Sequence, residues 1–159
     1  MKRSRALLAA ALLPLAACGS PKRAWTTQPC ELQLTDVLRE KAQDPFSVEV
    51  TLQLRVRNPN PIPVRLERLR LSVQAGGIDL GVTALPYKPL VGPTGTEIIR
   101  VPLMINTHAS PGSLGAVEKR STVYRFVGQL LQVGLDPETG GDNAARTGEY
   151  RVQFQGSPE

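Results

Sequence analysis

The stretch Phe46-Ser47-Val48-Glu49-Val50-Thr51-Leu52-Gln53-Leu54-Arg55-Val56-Arg57, followed at once by Asn58-Pro59-Asn60-Pro61-Ile62-Pro63, decides the fold. Apolar and polar residues alternate without a break over residues 46–57, the period of a strand with one face in a core and the other in water. Prolines at 59, 61 and 63 then end any regular ladder: each lacks an N–H, and the residues before them are pushed to extended or polyproline backbone. In an extended chain the three missing donors fall on one side. The segment therefore predicts a strand that leaves one sheet, crosses an exposed corner and enters a second sheet, its edge blunted against pairing.

The chain on either side repeats the pattern. Val64 and Leu66 alternate with polar residues, parity changes at Glu67-Arg68, and Leu69, Leu71 and Val73 resume the alternation, as one β-bulge requires. Gln74-Ala75-Gly76-Gly77 reads as a hairpin turn, after which Ile78, Leu80 and Val82 alternate. Beyond the Pro- and Gly-rich residues 86–95 comes a strand carrying Ile99, Val101, Leu103 and Ile105. Ser110 and Pro111 read as the N-cap and first residue of a short helix through Leu114, Val117 and Arg120. Strands near residues 124–135 and 148–155, joined by a polar loop over 136–143, and a short first strand near 30–34 complete the count. The reading is a mainly all-β domain over residues 30–156 with 157–159 as a tail. It is a seven-stranded, two-sheet antiparallel β-sandwich of the immunoglobulin or fibronectin III kind, with one short helix.

Residues 1–17 read differently. Lys2, Arg3 and Arg5 precede an apolar run over residues 6–15, too short for a ~30 Å hydrocarbon core, and Leu15-Ala16-Ala17-Cys18-Gly19 closes the segment. That ending resembles the bacterial lipobox. The resemblance implies that residues 1–17 are a cleaved signal peptide and that the Cys18 thiol carries a diacylglyceryl thioether, with further acylation, palmitate for example, on the new amino group. Several chains at ~0.8 kcal/mol per buried CH₂ hold a membrane far more firmly than one. Gly19, where an aspartate would retain the protein at the inner membrane, resembles the outer-membrane-sorted lipoproteins of Gram-negative bacteria. Residues 18–29 are then the acylated cysteine and a polar, Pro-containing tether. Trp25 within it has two ordinary fates, resting at the headgroups or packing back on the domain.

Charge follows the same division. The 159 residues hold 19 Lys and Arg against 14 Asp and Glu, but cleavage removes three of the basic residues and leaves a net charge of +2. The case for nucleic-acid binding, which rests on basicity, goes with them. The remaining basic cluster is Arg55, Arg57, Arg65, Arg68 and Arg70 against Glu67. It reads either as a patch for anionic lipid or lipopolysaccharide phosphates, or as charged strand faces that keep the protein soluble. A single histidine, His108, and a single thiol left after acylation, Cys30, leave no expectation of a metal site or cofactor, and no Gly-x-Ser-x-Gly motif supports a hydrolase. Cys30 reads as a half-buried residue of the first strand or as one half of an intermolecular disulfide.

The alternating residues 48–56, Asn58-Pro59-Asn60, residues 62–64, the leucines at 66, 69 and 71, Gly81, the strand at 99–105 and Tyr124-x-Phe126-x-Gly128 together resemble the late-embryogenesis-abundant type 2 family, which contains the WHy domain. The resemblance spans most of residues 30–156. It implies a two-sheet β-sandwich with one helix, a structural part for Asn58, Pro59 and Asn60, a link to desiccation or envelope stress, and no shared catalytic residues. The expectation is a non-enzymatic lipoprotein facing the periplasm from the outer membrane. It would act by contact with envelope proteins or membrane; the rival is a small lipoprotein adaptor in assembly of a secretion or transport complex.

Overall fold

A computed structural model describes residues 27–40 and 46–159. Cys18, the expected signal peptide, Trp25 and most of the expected tether lie outside the described residues. In chain order the elements are β1 (Glu31–Arg39), β2 (Ser47–Arg57), β3 (Val64–Ala75), β4 (Ile78–Ala84), β5 (Leu90–Val91), β6 (Thr96–Asn106), α1 (Ser113–Glu118), β7 (Tyr124–Leu135) and β8 (Asp142–Gly156). One antiparallel sheet has the order β1-β2-β6; the other runs β4-β3-β7-β8, with β5 paired to the start of β3. The strands expected from alternation are all present, and β5 adds a two-residue strand that is too short to leave a periodic signal.

The two sheets face each other through the residues that alternation places inward. Val48, Val50, Leu52, Leu54 and Val56 of β2 and Ile99, Val101, Leu103 and Ile105 of β6 are buried against Leu66, Leu69, Leu71 and Val73 of β3 and Tyr124, Phe126 and Leu130 of β7. The Phe126 ring stacks on Phe154 of β8 at 4.5 Å between centroids. Phe46 departs from the pattern: it is 53% exposed in the turn before β2 and contacts His108 instead of the core.

The bulge falls where parity broke. Between Leu66 and Arg68 the β3–β7 register shifts by one residue, Glu67 being the extra one, so the leucines on either side both point inward. Gly76 and Gly77 have φ of 55° and 86°, the paired left-handed conformation of a tight hairpin whose twist matches its strands. Gly128 on β7 is required for a different reason. A Cβ there would overlap the carbonyl oxygen of Arg70 and lie 2.9 Å from Leu71 Cα, so a side chain would push β3 and β7 apart.

Three boundaries and the exposure of one segment differ from expectation; β1 runs on to Arg39, past the residues 30–34 expected. The helix begins two residues later than Ser110 and Pro111 suggested, because Gly112 at φ 84° stands at its N-cap and breaks the right-handed path; no side chain caps it. β8 starts at Asp142 instead of 148. Its first residues lack apolar alternation, and their place comes from pairing with the end of β7, Thr147 opposite Val133 and Asp142 opposite Leu135. The proline corner does cross from the first sheet to the second, but it is not simply exposed: Asn58, Asn60 and Ile62 are buried, while Pro61 faces out.

Candidate functional site

Asn58 and Asn60 close one end of the sandwich. The Asn58 amide Nδ2 donates to the carbonyl oxygens of Ile62 at 2.8 Å, Gly92 at 2.9 Å and Val91 at 3.3 Å, tying the corner to the loop that leads to β6. Its Oδ1 accepts from both the backbone N–H and the Nδ2 of Asn60, each at 2.9 Å. Asn60 then grips the chain that enters the domain: Oδ1 accepts from Gln28 N at 2.7 Å and Nδ2 donates to Gln28 O at 2.8 Å. Two carboxamides thus supply donors and acceptors where three prolines interrupt the backbone's own. This is the physical content of the Asn-Pro-Asn signature.

Gln132 completes the grip from the other sheet. Fully buried on β7, it accepts from Cys30 N at 2.9 Å and donates to Gln28 O at 2.7 Å. Sequence reading passed over it, since one glutamine in a leucine-rich strand carries no spacing signal. Thr27 also sits at this end, its hydroxyl donating to Arg146 O at 3.2 Å and its carbonyl accepting from the Tyr150 hydroxyl. The last residues of the expected tether are therefore bound to the domain. Cys30 is 3% exposed, just before β1, and burial, with Glu31 next to it, pushes its thiol up to about 12. It belongs to the core and is not the half-buried strand residue expected.

The five arginines grouped by sequence do not form one surface. Arg55 and Arg57 lie on the outer face of the first sheet, Arg65, Arg68 and Arg70 on the outer face of the second. Four have carboxylate partners: Arg55 with Glu159 at 3.2 Å, Arg57 with Glu31 at 3.2 Å, Arg68 with Glu149 at 3.1 Å, and Arg65 with Glu67 at 2.5 Å and Asp142 at 2.8 Å. Lys88 also reaches Glu67, so Lys88 first and Arg65 next hold that carboxyl below its usual range. Arg70 differs, meeting no carboxylate among the described residues. Cross-strand pairing puts it in a row with Gln129 of β7 and Arg151 of β8. Two rows on, Arg125 lies between Gln74 and Gln155. Neither Arg125 nor Arg151 was foreseen, because their neighbours are distant in sequence and adjacent only across strands.

His108 is exposed in the turn after β6, its ring 4.5 Å from that of Phe46. Among the described residues no three His, Cys, Asp or Glu side chains converge as metal ligands.

A family model described as late embryogenesis abundant protein matches residues 53–136. The fold is similar to the solution structure of an Arabidopsis thaliana protein, with a TM-score of 0.51 at 15% identity, covering 82% of this chain and 81% of that one. The crystal structure of an Archaeoglobus fulgidus protein gives a TM-score of 0.40 at 10% identity, covering 80% and 98%. No curated protein sequence matches the chain significantly.

Proposed function

The chain belongs to the late embryogenesis abundant protein family, and on that premise we propose that it is a lipid-anchored envelope protein that protects by contact during water loss. Membership supports a role in desiccation or stress and a protein that works without catalysis. The finer reading is that acylated Cys18 holds the domain at the outer membrane, facing the periplasm, and that the folded sandwich touches neighbouring envelope proteins as water leaves.

The observation that carries this reading is the grip on Gln28 and Cys30. Asn60 and Gln132 hold the chain where a tether from Cys18 would meet the domain, each through paired hydrogen bonds. The free part of such a tether then ends before Thr27. Its eight residues from Gly19 to Trp25 and Thr26 reach at most about 29 Å at full extension. The domain stays within a molecular diameter of its membrane. A core already folded in dilute solution also has no ordering entropy to lose on drying, unlike a disordered protectant.

Two experiments test the two halves. Metabolic labelling with a fatty acid should mark the wild-type protein and not Cys18→Ala, which should leave the membrane fraction in high salt; a Cys18→Ala protein still membrane-bound there overturns the anchor. A deletion strain should survive drying and osmotic shock less well than its parent, with recovery on re-expression. Equal survival of the two strains overturns the protective role.

A further inference from the structure

The outer face of the second sheet divides into two electrostatic halves. At the end near the proline corner its arginines are neutralised: Arg65 by Glu67 and Asp142, Arg68 by Glu149. Beyond that row the pairing stops. Arg70, Arg125 and Arg151 are exposed, and among the described residues none meets a carboxylate. The positions between them are Gln129, Ser72, Val127 and Gln153, in register across β3, β7 and β8. Of the acids next to these arginines, Glu149, one row from Arg151, is paired with Arg68, and Asp79, opposite Gln74 in the Arg125 row, has an oxygen taken by the Gly81 N–H at 2.9 Å.

This half of the face is hollow. A concavity of ≈ 750 Å³ lies over Arg70, Arg151, Val82 and Val127, with Gly128 in its lining. A second hollow of ≈ 450 Å³ shares Gln153 and reaches Arg125, and a third of ≈ 350 Å³ runs from Arg125 to the Gly76-Gly77 hairpin. From the Arg70 row to the hairpin is six residues along β3, a track of about 20 Å, enough for about six residues of extended chain. Arg70 and Arg151 stand two strand spacings apart, about 9.6 Å, one on either side of the track.

We propose that this track is a docking groove for an extended acidic polypeptide segment of a partner protein, its carboxylates held by Arg70, Arg125 and Arg151. Three features select this occupant. Guanidinium groups without internal partners match carboxylates with bidentate geometry and charge. The glutamine amides between them offer both a donor and an acceptor to a peptide backbone, and Val82 and Val127 give an apolar floor for an intervening side chain. The three hollows also follow one another along the strands, a line that matches an extended chain. The proposal deepens the contact reading and rests on it only in taking the protein to bind without reacting. Its test involves neither drying nor anchoring, so the two readings fail separately.

The test uses the full-length protein in detergent and a fluorescent peptide of about six residues with glutamate at alternate positions. Anisotropy titration should show binding that weakens with salt, while the matching lysine peptide should not bind. The triple variant Arg70→Glu, Arg125→Glu, Arg151→Glu should lose at least about tenfold in affinity, roughly 1.4 kcal/mol. Arg55→Glu with Arg57→Glu, on the opposite sheet, should leave it unchanged. Thermal melts check folding, and a triple Arg→Gln variant replaces the charge reversal if that does not melt cooperatively. Absence of peptide binding to the wild type, or equal loss in the two sets of variants, overturns the proposal. So does binding of phosphatidylglycerol vesicles that depends on the same three arginines while the peptide does not bind, an outcome that makes the partner a membrane.

Discussion

Asn58→Asp changes one atom type at the centre of the corner and so isolates its chemistry. The shape is kept, and Oδ1 still accepts from the Asn60 backbone and side chain. The other oxygen, in place of Nδ2, faces the carbonyls of Ile62, Val91 and Gly92 with nothing to donate. Asn58 is fully buried, so water cannot compensate. Protonated, the acid donates to one of the three carbonyls and forgoes the other two, at ~1 kcal/mol each, or ~2 kcal/mol in all. Ionised, it places a negative charge among carbonyl dipoles, and burial of this kind raises a carboxyl pKa by about three units or more from ~3.9. The folded state then binds more protons than the unfolded one. Stability therefore falls as pH rises from the unfolded pKa toward the raised folded one, by ~1.4 kcal/mol per pH unit. The destabilisation should grow from ~2 kcal/mol near pH 4 to ~6 kcal/mol at pH 7, comparable with the whole stability of a domain this size. Urea denaturation followed by circular dichroism across that range, wild type beside variant, measures it, with m expected unchanged. Asn58→Ala, with no titrating group, should lose stability without this slope. A variant within ~1 kcal/mol of wild type at pH 7, or one whose stability rises with pH, refutes the account.

Other substitutions test other joints. Gly128→Ala should cost at least ~3 kcal/mol in urea denaturation, because its methyl meets the β3 backbone and no rotamer relieves the overlap; a soluble, wild-type-like protein contradicts the close approach. Gln132→Leu fills a similar volume but leaves Cys30 N without a partner and Gln28 O with Asn60 alone, at ~1–3 kcal/mol, with faster hydrogen exchange at Cys30 as the local signature. Glu67, held low by Lys88 and Arg65, contributes stability above its unfolded pKa that is lost as pH falls through the folded one. The melting-temperature gap between wild type and Glu67→Gln should thus close on acidification, and a gap that widens speaks against it. The Cys30 thiol, buried and pushed up to about 12, should resist a disulfide reagent at pH 8 until the domain unfolds; rapid labelling of the native protein contradicts its place in the core.

How much could be read from the sequence varied with the range of the interaction. Alternation in β2, the parity break at Glu67-Arg68 and the Gly76-Gly77 turn are local signals, and each located its feature because side-chain period and backbone geometry act within a few residues. The family signature at Asn58-Pro59-Asn60 was visible for the same reason, though its inward amides were not, because their partners Gln28, Val91 and Gly92 lie 30 or more residues away. The helix start failed at Gly112, where a left-handed backbone outweighed a favourable Ser-Pro pair. The arginines failed in grouping: proximity in sequence gathered residues from two opposite faces, while Arg70, Arg125 and Arg151 share one face only through the order β3-β7-β8. Gln132 had no detectable signal, being a polar residue whose meaning lies wholly in what it meets.

The paired grip on Gln28 and Cys30 has a mechanical side. Asn60 belongs to the corner between β2 and β3, and Gln132 to β7, so a pull on the chain ahead of Thr27 is carried into both sheets at once. β1, an edge strand that begins immediately after, is thereby shielded from being peeled away one hydrogen bond at a time. Under such a load the first rupture would have to break a cluster of buried bonds together. The two amides act as a strain relief at the point where the chain enters the sandwich.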